Sequence, residues 1–376
     1  MKRLVLLGGG HAHVHVLKAI GHALDPAVSV TLVTPVERQV YSGMVPGMVA
    51  GHYALDECSI DLAPLARHAR ALVVRSSVTL VNPAMREVIL ANGEIVPYDV
   101  LSIDVGAQPF VGAAAGVAAH AIAVRPLERF LAGWEQVLAR ARAGGMNAVS
   151  VVGGGAAGLE LAFAMEQRFG REIGGRAPHV RVLTDAPTFL PEYSTPVRGR
   201  LLRQAQRGNI GLHAQCRVGE VGPGYLRLKD NIEFATDATF WATGAAAHEF
   251  IRDSGLRTDE RGFLAVNDFM QSLSHPEVFG AGDCATNLQN PRPKAGVFAV
   301  RAGPALAANL MAALHGGPLE RHVSARRFLA LVSCGRRHAV GVYGPLSFEG
   351  GWAWRWKDRI DRRFLAGYAP ENLAKQ

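Results

Sequence analysis

Twice along the chain a short, wholly apolar run breaks into glycines and then into helical periodicity. The first run is Leu4 to Leu7, followed by Gly8, Gly9 and Gly10. The second is Val149 to Val152, followed by Gly153, Gly155 and Gly158. Runs this short and this apolar suit parallel strands buried on both faces. Glycines between such a strand and a helix let the backbone approach a pyrophosphate at the positive end of the helix. Two such turns predict an α/β chain with two Rossmann-like dinucleotide-binding units.

The first turn leads into His11, His13 and His15, a spacing that also suggests a metal pincer. On a strand, alternate histidines would converge on one ion; on a helix, residues two apart point away from each other. Helical phasing puts Val14, Leu17, Ile20, Gly21 and Leu24 on one face, with His13 on that buried side. His11, His15, Lys18 and His22 are expected opposite, on a polar face. No metal site is expected, and Gly8, Gly10 and His11, which opens the helix, are the expected cofactor contacts. His13 stands where a third glycine would let the helix sit close to the strand, so it is expected to be a core histidine with a hydrogen-bond partner. The stretch "VSVTLVT" ends in Thr34 with Glu37 a little late, which leaves the ribose contact of this turn unassigned.

The second turn carries Gly153, Gly155 and Gly158 in full G-x-G-x-x-G register, and its helix stops at Gly170. The following strand, "HVRVLTD", ends in Asp185, where an acid can hold a ribose hydroxyl. That favours NADH, while Arg181 and nearby arginines leave NADPH open. Two landmarks follow: "ATFWATGAAA", with Ala242, Thr243 and Gly244, and "HPEVFGAGDCA", with Gly280, Gly282 and Asp283.

The order and spacing of these four motifs resemble the two-dinucleotide-binding-domain flavoproteins of the pyridine nucleotide-disulfide oxidoreductase superfamily, over about residues 1–315. The resemblance implies that the first turn binds FAD and the second NAD(P)H. It implies that the turn at Gly244 links the domains, and that Gly282 and Asp283 hold the ribityl chain and pyrophosphate. The finer similarity is to the branch of type II NADH:quinone oxidoreductases and sulfide:quinone reductases. The dithiol branch carries C-x4-C beside the flavin; here that region reads "RQVYSGMVPGMVAGHYALDECSIDL", without the pair. Its "YSGMVPG" is also similar to flavoprotein modules fused to selenophosphate synthetase. Glu160 matches a family glutamate near the nicotinamide and flavin, with a helix-surface salt bridge as its structural alternative. Lys294 precedes a helix whose N-terminus would aim at the flavin, where dipole and ammonium together favour negative charge. Its alternative is a solvated loop lysine.

The implied organisation is an FAD-binding domain at residues 1–110 and 246–320, interrupted by an NAD(P)H-binding domain at 111–245. A small C-terminal unit takes 321–376. A chain of 376 residues with 49% hydrophobic residues can bury cores of that number. The net charge of +8 suits an anionic cofactor, substrate or membrane surface without choosing among them. No nucleic-acid partner is expected. There is no unbroken apolar run of about 18 residues, so no transmembrane helix is expected. The N-terminal apolar run ends at once in glycines, so it does not read as a signal peptide, and a cytoplasmic location, at the inner face of the membrane in one reading, is expected. In the tail, Trp352, Trp356, Ile360, Phe364 and Tyr368 recur every four residues as one apolar face, with Arg355, Arg359 and Arg362 on another. That pattern serves an interfacial membrane helix, the chain's own core or a second subunit equally well.

The expected activity is FAD-dependent oxidation of NAD(P)H with a quinone as acceptor. A sulfide:quinone-type reductase using Cys58 or Cys334, or a slow-turnover flavin redox sensor or partner subunit, are the alternatives. Cys216 and Cys284, like these two, stand alone in sequence, so no disulfide framework is expected.

Overall fold

The computed structural model describes residues 1–324 and 327–373. The chain begins with β1 (Lys2–Leu7), α1 (His11–His22), β2 (Val28–Val33), β3 (Leu72–Val74) and β4 (Val100–Ile103). It continues with β5 (Ala121–Ala123), α2 (Leu127–Arg142), β6 (Ala148–Val152), α3 (Ala156–Glu172), β7 (His179–Leu183), β8 (Gly211–His213) and β9 (Ala238–Trp241). It then returns through β10 (Val278–Gly280) and α4 (Gly296–His315). The end is an antiparallel meander, β11 (Leu329–Ser333), β12 (Ala339–Tyr343) and β13 (Leu346–Gly350), followed by α5 (Gly351–Ala366).

Strands β10, β4, β1, β2 and β3 lie side by side in that order in one parallel sheet. Strands β5, β9, β6, β7 and β8 form a second parallel sheet. Each glycine turn leaves the central strand of its sheet. β1 sits between β4 and β2, β6 between β9 and β7, and both are buried on both faces over their last residues. That burial is why both runs are continuously apolar rather than alternating. The first sheet takes its last strand, β10, from beyond the whole second sheet.

Helix α4 is long and apolar enough to cross a membrane by length and composition, and about half of it is buried in protein. It packs along α1, where Gly303 admits His15: a Cβ at 303 would lie 2.6 Å from that side chain. Its apolarity is used in the core of the first sheet, through Leu306, Leu310 and Leu314.

Candidate functional site

The N-terminal turn is built by contact with the end of β4. A Cβ on Gly8 (φ +88°) would lie 2.4 Å from the Asp104 carbonyl oxygen, so only glycine fits there. Gly10 and Gly282 meet the Asp104 side chain in the same way, each with a Cβ position 2.3 Å from its carboxyl group. The Asp104 carboxyl is buried and accepts from the backbone N–H of Ala12 (2.8 Å) and of His13 (3.2 Å), the first-turn donors of α1. Burial raises its pKa to about 6, against the lowering effect of His11 and of those two amides.

His13 is fully buried and satisfied at both ring nitrogens. Nδ1 pairs with the Gly8 carbonyl at 2.6 Å and Nε2 with Ser102 Oγ at 2.8 Å. In the second turn the residue in the same register, Gly158, faces the equivalent carbonyl: a Cβ there would lie 1.9 Å from the Gly153 oxygen. One turn therefore meets its first glycine's carbonyl with a bare Cα, the other with an imidazole.

His11 departs from the expected polar face. It is 9% exposed, packed edge-on to Tyr41 at 5.5 Å and beside Phe364 at 6.5 Å. The α1 surface judged polar by phasing is thus covered by an aromatic pair from two distant segments. Its Nε2 is buried without a hydrogen-bond partner, and burial lowers its pKa.

Gly282 (φ +68°) and Asp283 follow β10 and close the same cradle. Asp283 forms an ion pair with Arg125 Nη2 at 2.8 Å. Arg125 ends the segment after β5, so this contact ties the second sheet to the first; its Nη1 is buried without a partner. A pocket opens alongside, lined by Gly282, Asp283, Lys294 and Phe298 among others. Lys294 is neither freely solvated nor idle. Its Nζ donates to the Ala285 carbonyl (2.6 Å) and Thr286 Oγ1 (2.8 Å) and stands 4.0 Å from the centre of the Phe263 ring. Burial lowers its pKa.

In the second cradle Gly153 (φ +134°) lies against the Ala242 carbonyl, at 2.3 Å from a Cβ position. Gly154, which the register alone does not single out, packs on Thr184, at 2.7 Å from its Cβ. Gly155 and Gly244 face open space: a Cβ on Gly155 would find only Glu192 Oε1, at 3.8 Å, and one on Gly244 nothing within 4 Å. Asp185 is exposed just beyond β7. These are the properties of a surface against which a ligand can lie, and the first cradle adds unpartnered buried nitrogens at His11 and Arg125. Both sites fit a dinucleotide on these observations.

Glu160, on the first turns of α3, is not a surface ion-pair partner. It accepts from the Ser333 N–H at 2.7 Å, where β11 meets α3. Burial pushes its pKa up to about 7, opposed by Lys357 and the Ser333 N–H and assisted by Asp361. Lys357 and Asp361, on the inner face of α5, pair at 2.5 Å, and the Lys357 ammonium also donates to the Gly43 carbonyl at 2.5 Å. Sequence reasoning missed Asp104, Arg125 and this pair.

The tail stripe is divided. Trp352, Trp356 and Ile360 are 50%, 43% and 41% exposed, and the two indoles stack with Phe348. Phe364 and Tyr368 instead pack against the core around α1. Arg355 and Arg359 share the exposed side with the tryptophans rather than occupying a separate face, and Arg362 is engaged with Glu57 and Asp358. Residues 325–326 and 374–376 of the expected C-terminal unit lie outside the described residues. The thiols of Cys58 and Cys334 are free and buried, in separate apolar clusters. Burial pushes Cys58 up to about 12 and raises Cys334 as well. Among the described residues no group of three or more His, Cys, Asp or Glu could hold a metal.

Residues 2–308 match the family described as pyridine nucleotide-disulphide oxidoreductase. The internal alternative NAD(P)H-ubiquinone oxidoreductase A1, mitochondrial, of Arabidopsis thaliana is 27% identical over 145 residues, 37% of this chain. The chain spans only 28% of that relative's length. The type II NADH:quinone oxidoreductase of Haemophilus influenzae is 23% identical over 413 residues, covering 94% of this chain and 91% of that one. Among solved structures, the sulfide:quinone oxidoreductase from the hyperthermophilic bacterium Aquifex aeolicus superposes with a TM-score of 0.83 at 17% identity. That superposition covers 100% of this chain and 93% of that one. At that identity the likeness is one of fold.

Proposed function

This chain belongs to the pyridine nucleotide-disulphide oxidoreductase family, and from that membership we propose an FAD-dependent NAD(P)H dehydrogenase that delivers electrons to a quinone. Residues 1–110 and 246–320 form the FAD-binding domain, 111–245 the NAD(P)H-binding domain, and 321–376 an acceptor-side unit. The similarity to a type II NADH:quinone oxidoreductase over nearly the whole chain supports the acceptor class.

When bound, FAD would supply the redox chemistry between the nicotinamide and the acceptor. The protein's contribution is placement and electrostatics. Gly8, Gly10 and His11 present the α1 N-terminus to the flavin nucleotide's diphosphate, and Gly282 with Asp283 holds its ribityl side. Gly153, Gly155 and Gly158 would present the α3 N-terminus to the nicotinamide cofactor, with Asp185 toward its adenosine ribose and Gly244 in the turn that abuts Gly153. The observation that carries this reading is the Arg125–Asp283 ion pair, which brings the second sheet against the cradle of the first. Hydride transfer requires that proximity. Lys294 adds positive charge on the side of Asp283, favouring an electron-rich ring. Glu160, near neutrality between its acid and carboxylate forms, can hold or release a proton where α3 meets the acceptor-side unit.

The exposed Trp352, Trp356 and Ile360, with Arg355 and Arg359 among them, form the surface that meets the quinone's lipid environment. A sulfide-oxidising reading would need an accessible thiolate, and Cys58 and Cys334 are both buried thiols.

The test is an anaerobic acceptor screen. Protein reduced by NADH should be reoxidised by a soluble quinone faster than by dioxygen, and sulfide should not reduce the oxidised protein. Reoxidation no faster with quinone than without it would remove the quinone from the account.

A further inference from the structure

The N-terminus of α1 already holds a carboxyl group. Asp104 Oδ2 takes the N–H groups of Ala12 and His13, the site to which a helix dipole draws a phosphate. The carboxyl also stands directly behind both glycine turns of the cradle, with the Cβ positions of Gly10 and Gly282 each 2.3 Å from it. A ligand lying on those two glycines would therefore sit close to a buried carboxyl.

Every charged or titratable group that faces this position can be named. On α1 they are His11, whose Nε2 has no partner, and His13, which is engaged with Gly8 and Ser102. After β10 they are Asp283, paired with Arg125, and Cys284, whose thiol donates to backbone carbonyls. Lys294, ahead of α4, is committed to Ala285 and Thr286. No ion pair is formed by Asp104 itself among the described residues, and it is 3% exposed. A diphosphate brings a negative charge on each phosphorus to a place that already holds two carboxyl groups. In a water-poor site such repulsion is relieved by protonation of the group that lacks a cation.

Resting on the reading that this cradle takes FAD, we propose that Asp104 enters the complex as a carboxylic acid, so that flavin binding takes up one proton. The amides of Ala12 and His13 continue to be accepted by the carbonyl oxygen of the acid. The ordinary Asp104 is half ionised at about pH 6, so the uptake is visible above that pH.

The experiment is calorimetric titration of the full-length, flavin-stripped chain with FAD near neutral to mildly alkaline pH, in two buffers of different ionisation enthalpy. The expected result is uptake of about one proton, with affinity falling about tenfold per pH unit as the pH rises above neutrality. Asp104→Asn keeps an acceptor for the two amides and carries no charge at any pH, so its affinity should be flat with pH and its proton uptake absent. FAD binding by the wild-type chain without proton exchange overturns the inference and leaves the cradle intact. Uptake that persists in Asp104→Asn and disappears in His11→Gln transfers the proton to His11 and also overturns it. Absence of FAD binding at any pH overturns the cradle reading itself.

Discussion

Replacing His13 by glycine would restore to the first turn the register that the second turn carries at Gly158. By motif reasoning alone the change is neutral or favourable. The structure predicts the reverse. His13 makes two buried hydrogen bonds, to the Gly8 carbonyl at 2.6 Å and Ser102 Oγ at 2.8 Å, and Ser102 is fully buried in β4. Deleting the ring leaves that hydroxyl unpaired and opens a cavity between β1, α1 and β4, together costing about 3–5 kcal/mol. Against a typical total of about 5–15 kcal/mol this is severe. The pH dependence adds a second signature. Burial lowers the His13 pKa to about 4 from 6.5, so the unfolded chain binds the proton first. Stability from this group is complete above pH 6.5 and is lost as pH falls toward 4, by roughly 3 kcal/mol in all. Urea denaturation across that range should show His13→Gly less stable at neutral pH and with a shallower acid decline. A variant as stable as the wild type, with the same acid limb, would refute the assignment of His13 as a structural tie.

Gly158→Ala should drive a methyl group against the Gly153 carbonyl, 1.9 Å from the Cβ position, at a cost of about 1–3 kcal/mol. NADH affinity should drop at least about tenfold while FAD content is retained; unchanged affinity by fluorescence titration would contradict the second cradle. Lys294→Ala should keep its FAD and lower the flavin reduction potential, whereas an unchanged potential with FAD fully bound would confine Lys294 to its contacts with Ala285 and Thr286. Glu160→Gln should lose a titration near pH 7 from the quinone-reduction profile and, because the folded pKa lies above the unfolded 4.5, should also lose the stability decline between those values. Replacing Trp352, Trp356 and Ile360 together by serine should abolish binding to anionic liposomes at low salt and leave thermal stability nearly unchanged; full-length wild-type protein that ignores such liposomes would remove the membrane role.

What the sequence disclosed follows from locality. Apolar runs ending in glycine announce β1 and β6 because a parallel central strand must be apolar on both faces. The third-glycine departure at His13 was legible as a buried imidazole in need of a partner, though not that the partner would be the carbonyl of Gly8, the counterpart of the Gly153 carbonyl that excludes a side chain at Gly158. Asp104 was illegible because its amide partners lie 92 and 91 residues away and its carboxyl is explained only by two glycines in separate turns. Arg125 and Asp283 likewise meet across two sheets. The tail shows the limit of periodicity. Its four-residue recurrence is genuine, yet the docking of α5 on the core around α1 packs Phe364 inward, partly buried, and leaves Trp352 and Trp356 outside, a choice made by packing. His11 fails for the same reason, since its cover comes from Tyr41 and Phe364.

The central claim is that two adjacent dinucleotide sites pass a hydride between them. Anaerobic titration of the purified full-length protein with NADH, following its flavin absorbance, tests this directly. The account predicts one FAD per chain, bleached by one equivalent of NADH and restored by one equivalent of soluble quinone. A protein without flavin, or one whose flavin neither NADH nor NADPH reduces, would contradict it.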